Sequence, residues 1–83
     1  TLLKLNRGEA ALIEVRLPET SPALGKAIRD LALPSDTVIA SIIREGKLVI
    51  PRGETELRQD DELLAVSTVA AEKSLKSILL GAA

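Results

Sequence analysis

Two apolar, β-branched stretches separated by only two residues constrain this chain more than anything else in it. Thr37 to Arg44 and Lys47 to Ile50 flank Glu45-Gly46, and so short a connection joins antiparallel strands as a hairpin. The hairpin is expected at the centre of a sheet. Upstream, Ala11, Ile13, Val15 and Leu17 alternate with Leu12, Glu14 and Arg16. That is the two-residue period of a strand with one buried face, and Pro18 ends it. Pro51-Arg52-Gly53 breaks the second hairpin strand, Asp60-Asp61 marks another turn, and Leu63 to Val66 reads as a further strand. Leu57 is expected to plug the core between these elements.

Two segments carry the other periodicity. Ser21-Pro22 is a helix start, since the hydroxyl can accept from an unpaired N–H and proline suits the first helical position. The spacing of Leu24, Ala27, Ile28 and Leu31 predicts a helix from Pro22 to about Ala32, closed by Pro34. Ser67 or Thr68 can cap a final helix with Val69, Ala71, Leu75, Ile78 and Leu79 near one face and Gly81 as terminator. Residues 1–10 read as a lead-in strand or linker remnant, with a polar break at Asn6-Arg7-Gly8, and residues 11–83 as a single domain. The expected fold class is α+β: a small, mostly antiparallel sheet of four or five strands with two helices packed on it.

Composition removes several function classes. Aromatic residues are 0% of the 83 and hydrophobic residues 46%, so the core is aliphatic and no stacking platform for bases exists. Lys plus Arg number 11 against 12 acidic residues, for a net charge of -1, which speaks against a nucleic-acid partner. With neither Cys nor His, disulfides, thiolate metal sites and the commonest general base are all missing. No enzymatic activity is expected. No apolar run approaches the roughly 20 residues of a membrane helix, so the domain itself reads as soluble. The absence of Met, position 1 included, is read as the mark of a chain that is either trimmed or, by preference, a piece excised from a longer protein. A domain near this size buries only roughly 60% of its unfolded surface, so a dimer partner would help it.

The residue clusters that could carry chemistry each have a plain structural alternative. Gly25-Lys26 suggests phosphate binding, but inside a helix Gly25 is better explained as a small residue for close helix–sheet packing. Asp60, Asp61 and Glu62 could attract a hard cation. They lack calcium-loop spacing, and a solvated turn is the better account. Arg44, Lys47 and Arg52 surround the hairpin and could form a phosphate clamp between paired chains, because arginine donates bidentately to phosphate oxygens; the alternative is exposed charge flanking a hairpin. Ser21, Ser35 and Ser41 have no histidine to activate them.

Taken jointly, the order Leu17-Pro18, Ser21, Gly25-Lys26, Asp30-Leu31, Leu33-Pro34, Ile42-x-Arg44-x-Gly46, Pro51-x-Gly53-x-Thr55-x-Leu57, Asp61, Leu63 and Val66 resembles the TrkA-C family. These are the C-terminal domains of regulators of potassium conductance. The match spans roughly Leu12 to Ser67. One departure is Asp60 before Asp61, where the family usually has Gly-Asp. The resemblance implies a non-catalytic, ligand-sensing and dimerising domain of a potassium or cation transport protein, whether channel, uptake system or cation:proton antiporter. The implied partners are a second copy of the chain, a membrane-embedded channel or transporter, and a preceding Rossmann-type domain whose glycine fingerprint is absent here. The implied location is the cytoplasmic face of the cell membrane. Some members bind cyclic di-AMP between two such domains. Carried over by motif position, the ligand-binding residues are Val38, Ile39, Arg44, Ile50 and Pro51, the apolar ones against the bases and Arg44 on the phosphates, with neither Asn nor His beside that cleft. The competing expectation is a purely structural dimerisation module whose ligand sites lie elsewhere in the parent. A free-standing enzyme or sensor is the weakest alternative.

Overall fold

The computed structural model describes residues 2–5 and 9–81. Five strands form one antiparallel sheet in the order β1-β2-β5-β3-β4, with β1 at Leu2–Leu5, β2 at Ala10–Arg16, β3 at Thr37–Arg44, β4 at Lys47–Val49 and β5 at Glu62–Thr68. The lead-in segment supplies β1, which pairs with β2 from Leu2 opposite Ile13 to Leu5 opposite Ala10; Asn6-Arg7-Gly8 lies outside the described residues. Among the described residues there is a single α-helix, α1 at Glu72–Leu80, which follows a 3₁₀ turn at Val69–Ala71. The architecture is therefore α+β, as the sequence indicates, with one α-helix where two are expected.

Alternation decides which face is buried. Ala11, Ile13 and Val15 of β2 and Leu63 and Ala65 of β5 point into the core with Leu75 and Leu79 of α1. On β3 the register shifts between Ile39 and Ser41, so Ile39 and Ile42 are both buried although they are three apart. A bulge of this kind resets the two-residue phase. Leu57 is fully buried, as expected. The hairpin turn has φ of 52° at Glu45 and 75° at Gly46, the double left-handed geometry that matches strand twist. The hairpin is not central, however. β4 is an edge, and β5 occupies the middle because β2 and β3 both pair with it.

The largest departure from expectation lies between Pro22 and Ala32. This segment consists of turns and one 3₁₀ turn at Ile28–Asp30. Leu24, Lys26, Asp30 and Leu31 N–H groups bond locally, three residues back, but three others are claimed from a distance: Gly25 N–H donates to Leu57 O (2.8 Å), Ile28 N–H to Thr55 O (2.9 Å) and Arg29 N–H to Gly53 O (2.9 Å), while Lys26 O accepts from Leu57 N–H (3.1 Å). Residues 25–29 thus run as an antiparallel ribbon against 53–57, with a bridge between Ala27 and Glu56. Gly25 has φ of +77°, and nothing lies within 4 Å of where its Cβ would be. It serves the left-handed backbone and not close packing. The apolar residues of the helical pattern still face inward, Leu24, Ile28 and Leu31 packing against the core. Ser21 does not start a helix. Its Oγ accepts from Ala23 N–H (3.1 Å) and donates to Leu79 O (2.5 Å), satisfying a last-turn carbonyl of α1 that has no partner within the helix. At the other end, Thr68 Oγ1 accepts from Ala71 N–H (3.2 Å), so of the two expected caps it is Thr68 that acts.

Candidate functional site

The expected ligand residues sit on the β3–β4 hairpin and just beyond it, but not on one surface. Val38 and Ile50 are more than half exposed and Pro51 is half-buried. Ile39 is 6% exposed and belongs to the core cluster, one phase away from Val38, so its side chain supports the strand from beneath. With Leu48, also exposed, the hairpin presents an aliphatic edge bounded by Lys47.

Arg44 is differently placed. It continues the inward phase of Ile42, and Asp61 continues that of Leu63. Since Ile42 opposes Leu63 and Ile43 opposes Glu62, Arg44 and Asp61 form the next rung beyond the ladder. Arg44 Nε donates to Asp61 Oδ1 (2.9 Å) and Nη2 to Oδ2 (2.8 Å), a side-on bidentate ion pair. Nη2 also donates to Glu56 O (2.9 Å), which ties the hairpin to the 53–57 ribbon. Asp61 is 1% exposed. Its Oδ2 accepts from Arg58 N–H (2.9 Å), and its backbone carbonyl accepts from Leu17 N–H (3.0 Å). Asp61 is therefore not part of a solvated turn. The adjacent Asp60, with φ of +68°, holds the left-handed position for which glycine is the low-strain choice.

The electrostatics follow from this enclosure. Burial pushes the Asp61 carboxyl up, but the Arg44 hydrogen bonds, the Arg58 N–H and the charges of both arginines outweigh it and leave Asp61 below its ordinary value. The hydrogen bond to Asp61 raises Arg44, against the opposing effect of burial. Both groups are charged at neutral pH. Among the described residues, no group of three acidic side chains is arranged to hold a metal ion.

Asp61 is the residue that sequence reading undervalued. The signal was present: counting back in twos from Leu63 places a carboxylate at a buried position, and such a carboxylate requires a cation. Arg44, two residues beyond Ile42, is the cation in phase. Neither Lys47 nor Arg52 joins it, Lys47 being exposed opposite Arg44 across the turn. On the far side of the sheet, a depression of about 430 Å³ is lined by Glu14, Arg16, Ser41, Ile43, Glu62 and Leu64 among others; nothing in the residue pattern marks it. Among the described residues no helix is long and apolar enough to cross a membrane.

Comparison with known proteins places these features in context. The TrkA-C domain model matches residues 12–80. The Trk system potassium uptake protein TrkA of Mycobacterium tuberculosis (strain ATCC 25618 / H37Rv) is 37% identical over 79 residues, covering 95% of this chain and 36% of that protein. The TrkA homolog of Archaeoglobus fulgidus is 48% identical over 71 residues, covering 86% of this chain and 16% of that protein. The chain thus spans little more than a third of the first relative and less of the second. Among solved structures, the RCK_C domain dimer of S. agalactiae BusR in complex with c-di-AMP has a TM-score of 0.70 at 25% identity over 82% of this chain and 93% of that one. The GsuK channel bound to NAD shares the fold, with a TM-score of 0.68 at 24% identity over 88% of this chain and 14% of that one.

Proposed function

Because this chain belongs to the TrkA-C domain family, we propose that it is a non-catalytic regulatory domain of a potassium or other cation transport protein. It works at the cytoplasmic face of the membrane as a homodimer, beside a channel or transporter and a preceding nucleotide-binding domain. Its ligand is a nucleotide, with cyclic di-AMP the first candidate. The observation that carries this reading is the likeness to a domain dimer complexed with that nucleotide, over 82% of this chain and 93% of that one. The exposed Val38 and Ile50 and the half-buried Pro51 offer an aliphatic surface for bases, and Arg44, on the inward phase of the same hairpin beside Asp61, offers a cation. A ligand biases the transporter only through different affinity for two arrangements of the dimer.

Calorimetric titration of the wild type and Arg44→Ala with cyclic di-AMP, with ATP as a control, tests the ligand. Binding by the wild type that the substitution weakens at least about tenfold, the loss of one charged hydrogen bond, supports the site. Tight binding that ignores the substitution removes it. The alternative, a purely structural dimerisation module, draws on the engagement of Arg44 by Asp61. It predicts a stable dimer in the ultracentrifuge with no thermal shift across a nucleotide panel.

A further inference from the structure

A guanidinium carries five N–H donors, and the hydrogen bonds of Arg44 to both oxygens of Asp61 and to the Glu56 carbonyl engage three of them. The entire Nε–Nη2 edge faces the carboxylate. The opposite Nη1–Nη2 edge is half used, because the second Nη2 hydrogen goes to Glu56 O. The two hydrogens of Nη1 are left. An anion arriving at Arg44 can therefore neither take the side-on fork nor share both end nitrogens. It can only meet the Nη1 amino group.

The anion could instead compete for the fork, but the enclosure of Asp61 argues against it. With a side chain only 1% exposed, Asp61 would keep a single hydrogen bond, from Arg58 N–H, as a buried carboxylate without its cation. Stranding a buried charge costs more than one exposed charge-assisted contact returns. The pair is thus a fixture that survives ligand arrival, and it settles which nitrogen is on offer.

Resting on the ligand reading above, we infer that Asp61 is the positioning residue of the anion site: it holds Arg44 side-on so that Nη1 alone is presented to a ligand phosphate, and it remains paired in the complex. Arg44 supplies the contact and Asp61 its direction. Lysine at position 44 could satisfy Asp61, but its one nitrogen would then be committed inward. The guanidinium is required because it carries a third nitrogen, Nη1, that can face out while Nε and Nη2 face in.

Cyclic di-AMP is titrated calorimetrically into the wild-type chain, Arg44→Ala, Arg44→Lys and Asp61→Asn, with circular dichroism confirming the fold of each, and the arginine side-chain NMR signals of the wild type are followed during titration. The expected result is a loss of affinity of about tenfold or more in both Arg44→Lys, which keeps the charge and the buried pair, and Asp61→Asn. On binding, the Arg44 Nη1 signal moves while Nε–H keeps its free-state position. Wild-type affinity in Arg44→Lys, or a displaced Nε–H signal, overturns the positioning role even if Asp61→Asn fails to fold. Wild-type affinity in Asp61→Asn, together with lost binding in Arg44→Ala, removes the positioning role and leaves the ligand reading standing. No binding by the wild type removes both.

Discussion

The β3–β4 hairpin and the ribbon of residues 25–29 against 53–57 pair extended backbone in the same antiparallel sense by opposite routes. The hairpin is closed by its neighbours in sequence, through a turn whose two residues both take positive φ. The ribbon is closed by partners far along the chain, so its segments form no continuous strand and Pro22 to Ala32 reads locally as a helix. Backbone donors follow whichever acceptor the tertiary structure supplies. Gly25 tips the choice, because its left-handed φ breaks the helix where the ribbon begins.

Four substitutions, one of them a control, test how far the two regions depend on each other. The largest effect is expected from Asp61→Asn, which loosens the junction of hairpin and ribbon by leaving Arg44 without its counterion: about 3 kcal/mol at neutral pH, as for breaking a buried pair, read by urea denaturation. The folded-state pKa of Asp61 lies below its unfolded value, so the unfolded chain binds the extra proton and stability rises with pH through that window. The contribution of the pair is complete above the unfolded value of about 3.9 and is lost as pH falls through the folded one. The gap between wild type and variant should hold steady from pH 8 to about 5 and close in stronger acid. A gap that persists at the lowest pH at which both fold would show that the destabilisation is not electrostatic.

Next comes Gly25→Ala, expected to cost about 1–2 kcal/mol through backbone strain alone, since the added carbon meets nothing within 4 Å. Gly53→Ala is its control: the new carbon would make ordinary contact with Arg29 Cβ at 3.6 Å, without a positive φ, and stability should barely change. Equal losses at the two positions would mean that crowding, not backbone conformation, sets the cost. The smallest effect is Ser21→Ala, about 1 kcal/mol for hydrogen bonds that include the one to Leu79 O. Faster amide exchange should be confined to the last turn of α1 and the turn at residues 21–23. Uniformly faster exchange would point to global destabilisation instead.

These regions also divide what could be read from residues alone. Strands β2, β3, β4 and β5 and helix α1 were legible because each rests on local periodicity or a local turn. The helix expected over Pro22 to Ala32 failed because three- and four-residue spacing of apolar groups reports only that one side of a segment faces the core. A twisting ribbon achieves that equally well. The central position assigned to the hairpin failed for a related reason: strand order depends on which long-range pairing wins. Around the site, Arg44 is picked out by type and place, whereas its partner is hidden by the assignment of Asp60, Asp61 and Glu62 to a solvated turn. Extended backbone sends such neighbours to opposite sides, and Asp61 is buried while Glu62 is exposed.

The central place of β5 also governs when the molecule can assemble. Ala10 pairs with Thr68 and Arg16 with Glu62, so β2, formed early in a chain made from its N-terminus, has no central neighbour until nearly all of the described length exists. The hairpin can close on its own within microseconds, but it gains a sheet only when β5 arrives between it and β2. Folding dominated by such distant pairings belongs to the slow end of small domains. During synthesis the aliphatic stripe of β2 must wait, uncovered, for the strand that completes it.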